Sequence, residues 1–317
     1  AKVNFTPSAS GVFYIGFHVF SLANQYDLNI DDIKVDFAPG CWPPRNLALN
    51  YTSSTTATLS WGPPITGTPT GYEYSVQFNR NTPSSGISTT TQSANLVGLI
   101  EGTMYYVFVR SACTGNAFSA WATDSFYVPC SVRAIPYTEN FDGVTAPAMP
   151  PCIIKEDLNG GTTWYTNSTS PRTSPNSMIY HYSTTLPGND WFYTAPLFLT
   201  GGTSYRLKFY YKSRSGNTVY PEKLEVKYGT GNTVSSMTNF LFSDTNIVFT
   251  YYNVSESDFT PSTTGVYFIG FHAMSLANQY DLYVDDILVD YAPTCSKPTN
   301  LSMTPTSNTD AILRWSP

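Results

Sequence analysis

Two aspartates stand side by side twice in this chain, at Asp31-Asp32 and Asp285-Asp286. Around the second pair the apolar positions are Leu282 and Val284, then Ile287, Val289 and Tyr291. Around the first they are Leu28 and Ile30, then Ile33, Val35 and Phe37. The period-two alternation of a strand slips by one residue across the acids, which is the pattern of a β-bulge. Adjacent carboxylates between apolar neighbours repel each other and lose hydration, so something must compensate them. A Ca2+ ion collecting six to eight oxygens is one means, and hydrogen bonds from loop amides are another.

Other groups that could do chemistry are few. The histidines are His18, His181 and His272, and the first and last occupy one position of a repeated G-F-H. A lone histidine in a strand is more often packed or hydrogen-bonded than a general base. There is no G-x-S-x-G elbow, no H-E-x-x-H helix and no glycine loop shaped for phosphate. A non-catalytic chain is therefore expected. The net charge of −6 leaves no basic patch for nucleic acid, and no run of ~18 apolar residues would span a membrane.

The elements that must position these residues are strands. Charged residues make up only 12% of the chain, too few to clothe the outer faces of long helices. Ser and Thr number 75, aromatics reach 15%, and Gly and Pro add 21 and 23. Many short strands joined by polar turns have this composition. Self-similarity then sets the organisation. Residues 5–39 recur at 259–293 with an offset of 254 and 25 of 35 positions identical. The match continues from Cys41–Pro63 to Cys295–Pro317 with 11 of 23 identical. The residues are expected to be a window on a tandem array, with partial modules at 1–40 and 295–317 flanking complete ones at 41–129 and 130–294.

Five cysteines fit this period, because Cys295 is the repeat partner of Cys41. Four cysteines allow three pairings, and the module boundaries favour Cys41–Cys113 and Cys130–Cys152. Disulfides place the chain in an oxidising, extracellular or cell-surface setting.

In residues 41–129 the strands read as ATLSWGPP (57–64), GYEYSVQF (71–78, with Tyr72, Tyr74, Val76 and Phe78 on one face) and 96–113 as two strands about a turn. Trp61, then Leu99, Gly102, Thr103 and Tyr105, then Val107 and Val109 resemble the fibronectin type III domain, with its tyrosine corner. Residues 130–294 read as eight strands, at 137–141, 176–182, 190–199, 205–213, 223–229, 247–254, 265–273 and 282–291, which suits a jelly-roll. The run from YTENFDG through DWFYTAPLFL and YRLKFYY to LYVDDILV is similar to the cleaved-adhesin, MAM-like jelly-rolls of Bacteroidetes surface proteins. The fold class is accordingly all-β: tandem β-sandwiches, a jelly-roll alternating with a fibronectin type III-like module.

That resemblance implies export, commonly by the type IX route, and a structural calcium shared by the first and last strands. Glu139 and one of Asp285 or Asp286 match its ligands; Asp142, Asp190 and the repeated Asp31 and Asp32 are further candidates. Trp164-Tyr165 and Tyr210-Tyr211 cannot both point inward on a regular strand, so one of each pair should face out. With Trp191 they form a candidate platform for stacking sugars. The expected function is adhesion or a surface filament or stalk, with sugar-binding accessory modules or a structural fibre as alternatives. The expected partners are neighbouring repeats, surface glycans, and host or substratum ligands.

Overall fold

The structure is a computed structural model of the chain and describes residues 3, 5, 7–24, 26–35, 40–295 and 299–316. It is all-β, apart from two single-turn helices at Thr114–Asn116 and Val234–Ser236. By compactness it divides into two units. One comprises residues 1–50, 58–96 and 105–126, and the other residues 51–57, 97–104 and 127–317.

The first sandwich contains β1 (Arg45–Tyr51), β2 (Thr56–Gly62), β3 (Gly71–Gln77) and β4 (Ile87–Thr89). It continues with β5 (Ser93–Val97), β6 (Met104–Cys113), β7 (Ala117–Phe118) and β8 (Ala122–Tyr127). One sheet has the order β1-β2-β5; the other is β4-β3-β6-β7, with β8 also on β6. In β2 the apolar alternation puts Ala57, Leu59 and Trp61 inside, and the Trp61 ring meets Tyr72 of the opposite sheet edge-on at 5.6 Å. Cys41 is joined to Cys113 with Cα atoms 6.0 Å apart. Phe78 follows the same alternation, since the register that sets Val76 opposite Val107 brings it opposite buried Tyr105. Strand β3 ends at Gln77, and Phe78 lies 61% exposed against Tyr105 at 4.9 Å.

The second sandwich starts with β9 (Tyr137–Glu139), β10 (Ile154–Asp157), β11 (Trp164–Asn167) and β12 (Ser177–Tyr180). Next come β13 (Asp190–Tyr193), β14 (Leu197–Leu199), β15 (Tyr205–Ser213) and β16 (Glu222–Gly229). It closes with β17 (Asn239–Ile247), β18 (Asn253–Phe259), β19 (Gly265–Ala273) and β20 (Leu282–Tyr291). The sheets run β10-β13-β19-β16-β17, with β14 on β19, and β11-β12-β20-β15-β18, with β9 on β20. Every ladder within them is antiparallel. Aromatic rings fill the space between. Phe271 stacks on Phe192 at 4.6 Å and meets Phe209 edge-on at 5.2 Å, and Trp164 meets Phe192 at 4.9 Å. The residues expected as one strand at 247–254 are divided by a loop, 248–252, between β17 and β18. Strands β10 and β11 have four residues each and too little alternation to be read beforehand.

The bulge is present. Lys208 of β15 faces Leu288 and Tyr210 faces Asp285, so Asp286 and Ile287 share the single residue between, and Asp286 has φ +48°.

Loop 97–104 belongs to the same compact unit as the larger sandwich, and its Glu101 is buried there. Glu101 accepts hydrogen bonds from the Ser131 amide (3.3 Å), the Ser131 hydroxyl (2.7 Å) and the Arg133 guanidinium (2.6 Å). Burial would raise its carboxyl, but these partners and Ser54 hold it below the usual glutamate value. Cys130 and Cys152 are bonded beside it, with Cα atoms 5.8 Å apart. Gly102 has φ +68°, and a Cβ there would lie 2.9 Å from the Cys152 nitrogen, so only glycine fits.

The ends differ from expectation. The described residues among 3–35 contain no strand and lie exposed, although they repeat the last strands of the larger sandwich. The ladders made by β19 and β20 use β12, β13, β15 and β16, and residues 1–317 contain no earlier copy of those strands. Phe37, part of the repeated bulge pattern, lies outside the described residues. Residues 299–316 form a hairpin of β21 (Thr299–Pro305) and β22 (Ala311–Ser316), at the repeat positions of β1 and β2.

Candidate functional site

Antiparallel register sets out the outer face of the sheet β11-β12-β20-β15-β18 as rows of side chains. One row runs Tyr165, Ile179, Tyr283, Lys212 across four strands. Next to it, at the strand ends, lie His181, Asp281 and Arg214. Asp281 is buried and accepts from His181 Nδ1 at 2.5 Å and from Arg214 at 3.0 Å. On the other side of the Tyr165 row, Asn167, Ser177, Asp285 and Tyr210 stand in line.

A strap, residues 168–175, covers part of this face. The Arg172 and Thr173 amides donate to Asp285 at 2.7 and 3.3 Å. The Arg172 side chain bonds Asp286 at 2.5 Å and lies 3.5 Å from the centre of the Tyr210 ring. Ser170 accepts from Lys212 at 2.5 Å through its hydroxyl and from the Tyr252 hydroxyl at 3.0 Å through its carbonyl. Lys212 lies between the Tyr252 and Tyr283 rings, at 4.6 and 4.8 Å. Burial pushes this ammonium below its ordinary pKa, with Asp285 opposing the shift.

The other part of the face is open. Tyr165 and Tyr182 are half-buried, and the His181 and Arg214 side chains are 42% and 60% exposed. His181 and Tyr182 rings lie 4.8 Å apart. Burial chiefly raises the Tyr165 hydroxyl, with Asp281 adding to the rise and Arg214 opposing it, so Tyr165 stands within the field of that pair. Flat ring faces beside charged hydrogen-bonding groups are the chemistry of sugar recognition: the rings stack on apolar C–H faces while the rim meets hydroxyls.

The acids expected to hold calcium do not fit a calcium cage as they are placed. Among the described residues no three His, Cys, Asp or Glu side chains gather to hold a metal. Asp285 accepts three amides, the third from Asp286 at 2.8 Å, while Asp286 is taken by Arg172 and by the Thr173 hydroxyl. Glu139 sits opposite inward Ile287, whereas Asp285 faces outward before the bulge. Its carboxylate caps the Phe141 amide at 2.7 Å, and burial, more than Asp142, raises its pKa. Asp142 accepts from the Asn176 amide and from the Asn140 side chain. Asp31 and Asp32 make only a local turn, the Asp32 amide donating to Asp31. Asp190 is fully buried, and burial raises its carboxyl to about 6.

Of the five aromatic residues of the candidate platform, Tyr165 and Tyr210 lie on the outer face, one from each adjacent pair. Trp164 and Tyr211 point inward into the core. Trp191 does face outward from the opposite sheet, but it stacks on His272 at 4.3 Å and is covered by Met237. Tyr210 is roofed by Arg172. His181, Tyr182, Arg214 and Asp281 were not singled out as binding residues from the sequence. One signal was available: Ser275–Leu282, which contains Asp281, is identical in both copies.

Residues 42–125 match the fibronectin type III domain model. The K1 cleaved adhesin domain of Lys-gingipain from Porphyromonas gingivalis is similar in structure, at 16% identity over 50% of this chain and 98% of that one, with a TM-score of 0.42. The K2 domain of the same protein matches at 16% identity over 50% and 99%, with a TM-score of 0.42. A CBM22-1 xylan-binding domain from Paenibacillus barcinonensis matches at 8% identity over 50% and 95%, with a TM-score of 0.36. No curated protein matches the chain.

Proposed function

We propose that the 130–294 module is a non-catalytic, sugar-binding adhesion module, carried outside the cell in a tandem array. The observation that carries the reading is the open end of the outer face, where Tyr165 and Tyr182 stand beside the His181–Asp281–Arg214 row. Two disulfides fit an oxidising setting, and the 254-residue repeat fits an array whose partners include its own neighbouring modules. Export by the type IX route and assembly into a filament belong to the same proposal.

A glycan array probed with the full chain tests it, followed by calorimetry on the best ligand. Tyr165→Ala should weaken that ligand roughly tenfold or more, the size of one lost stacking contact. Its denaturation midpoint should stay near that of the parent. Silence across neutral and acidic polysaccharides would overturn the proposal.

A further inference from the structure

We infer that the sugar taken by this face carries carboxylate groups, as a uronic-acid glycan does; the inference rests on the sugar-binding reading above. The open end of the face presents an exposed guanidinium. Arg214 gives one nitrogen to Asp281, and its guanidinium is otherwise 60% exposed. His181 engages the other oxygen of Asp281 through Nδ1 and so helps fix that carboxylate behind Arg214.

The carboxylates of the face are withdrawn. Asp281 is 2% exposed, with one oxygen on His181 and the other on Arg214. Asp285 is fully buried and holds the strap. Further along the sheet, Glu256 and Asp258 are paired with Lys208 and Arg206. At this end of the face the exposed charge is that of Arg214, while the Asp281 side chain behind it is 3% exposed. A carboxylate only accepts. It matches the planar fork of Arg214, and the ring carrying it lies on Tyr165 or Tyr182. Asp281 then acts as the positioning residue, holding Arg214 without competing for the ligand.

The test uses the full chain and two oligosaccharides, an oligogalacturonide and the same oligomer with its carboxyls reduced to alcohols, at one pH and low salt. The acidic form should bind at least roughly tenfold tighter, the range for one charge-assisted hydrogen bond. Arg214→Gln should erase most of that preference, while Tyr165→Ala should weaken both ligands together. Added salt should weaken only the acidic form appreciably. Equal binding of the two oligomers, or a preference that survives Arg214→Gln, would overturn this inference and leave the sugar-binding reading intact. Binding of neither, with a silent array, would overturn both.

Discussion

A 35-residue stretch occurs twice with 25 positions identical, and its two copies stand in different surroundings. Near the carboxyl end it builds β19 and β20, where Phe271, Leu282 and Val289 are fully buried. Their copies Phe17, Leu28 and Val35 are 55%, 65% and 62% exposed, and the described residues among 3–35 form no strand. The fibronectin-like copies show the same contrast: Trp61 is 4% exposed and Trp315 58%. The apolar alternation recurs in both copies, so it alone does not decide the outcome. What differs is the presence of β12, β13, β15 and β16 to accept the ladder bonds and close the other side of the core. One feature is local all the same. Asp32 and Asp286 share a left-handed backbone at φ +51° and +48°, and in both pairs the second amide donates to the first carboxylate at 2.8 Å. The Asp-Asp turn thus comes with the dipeptide, and the bulge comes with the sheet.

Mutations placed in both copies would sharpen this contrast. The largest effect is expected for Phe271→Ala, which removes a ring between Phe192 and Phe209 and should cost about 3–5 kcal/mol by urea denaturation. The matching Phe17→Ala should move the curve by less than about 0.5 kcal/mol. Equal losses would show that residues 3–35 fold as their copy does. Next in size is Asp285→Ala, which strands the Arg172 and Thr173 amides and should cost about 1–3 kcal/mol, whereas Asp31→Ala should be close to silent.

A smaller effect separates the copies by pH. Burial raises the Asp285 and Glu222 carboxyls to about 7 and that of Asp190 to about 6, above the ~4 of free side chains. The folded state therefore favours their protonated forms. That stability is complete below pH ~4 and is lost as the pH climbs through 6 to 7. Denaturation midpoints should fall between pH 5 and pH 8, and Asp285→Asn should flatten the fall. A profile that rises over that interval would contradict the burial of these acids. The smallest effect expected is that of a chelator: melting curves with and without EDTA should superimpose, because strap amides and Arg172 already satisfy the paired acids. A shift of several degrees would mean that Glu139 and Asp285 turn towards a shared cation.

How far this was legible in the sequence depended on whether neighbours were needed to read it. Strands 205–213 and 265–273 were plain because their apolar residues alternate, and in 282–291 the one slip, at Asp285-Asp286, marked the bulge. The pairs Trp164-Tyr165 and Tyr210-Tyr211 told that one ring must face out without telling which, since that depends on register with β12 and β20. Trp191 shows a second limit. It does point outward, yet Met237, 46 positions along, closes over it. The strap at 168–175 is of the same kind: its amides carry no sequence signature, though they hold Asp285.

The sulfur bridges also decide how much of the polypeptide would pay out if it were pulled from its ends. Force entering at Cys41 leaves at Cys113, and force entering at Cys130 leaves at Cys152, so spans of 72 and 22 residues stay slack. At ~3.4 Å per extended residue they withhold about 240 Å and about 75 Å of reach. A tether of such beads would therefore hold back 94 of every 254 residues until a reductant released them.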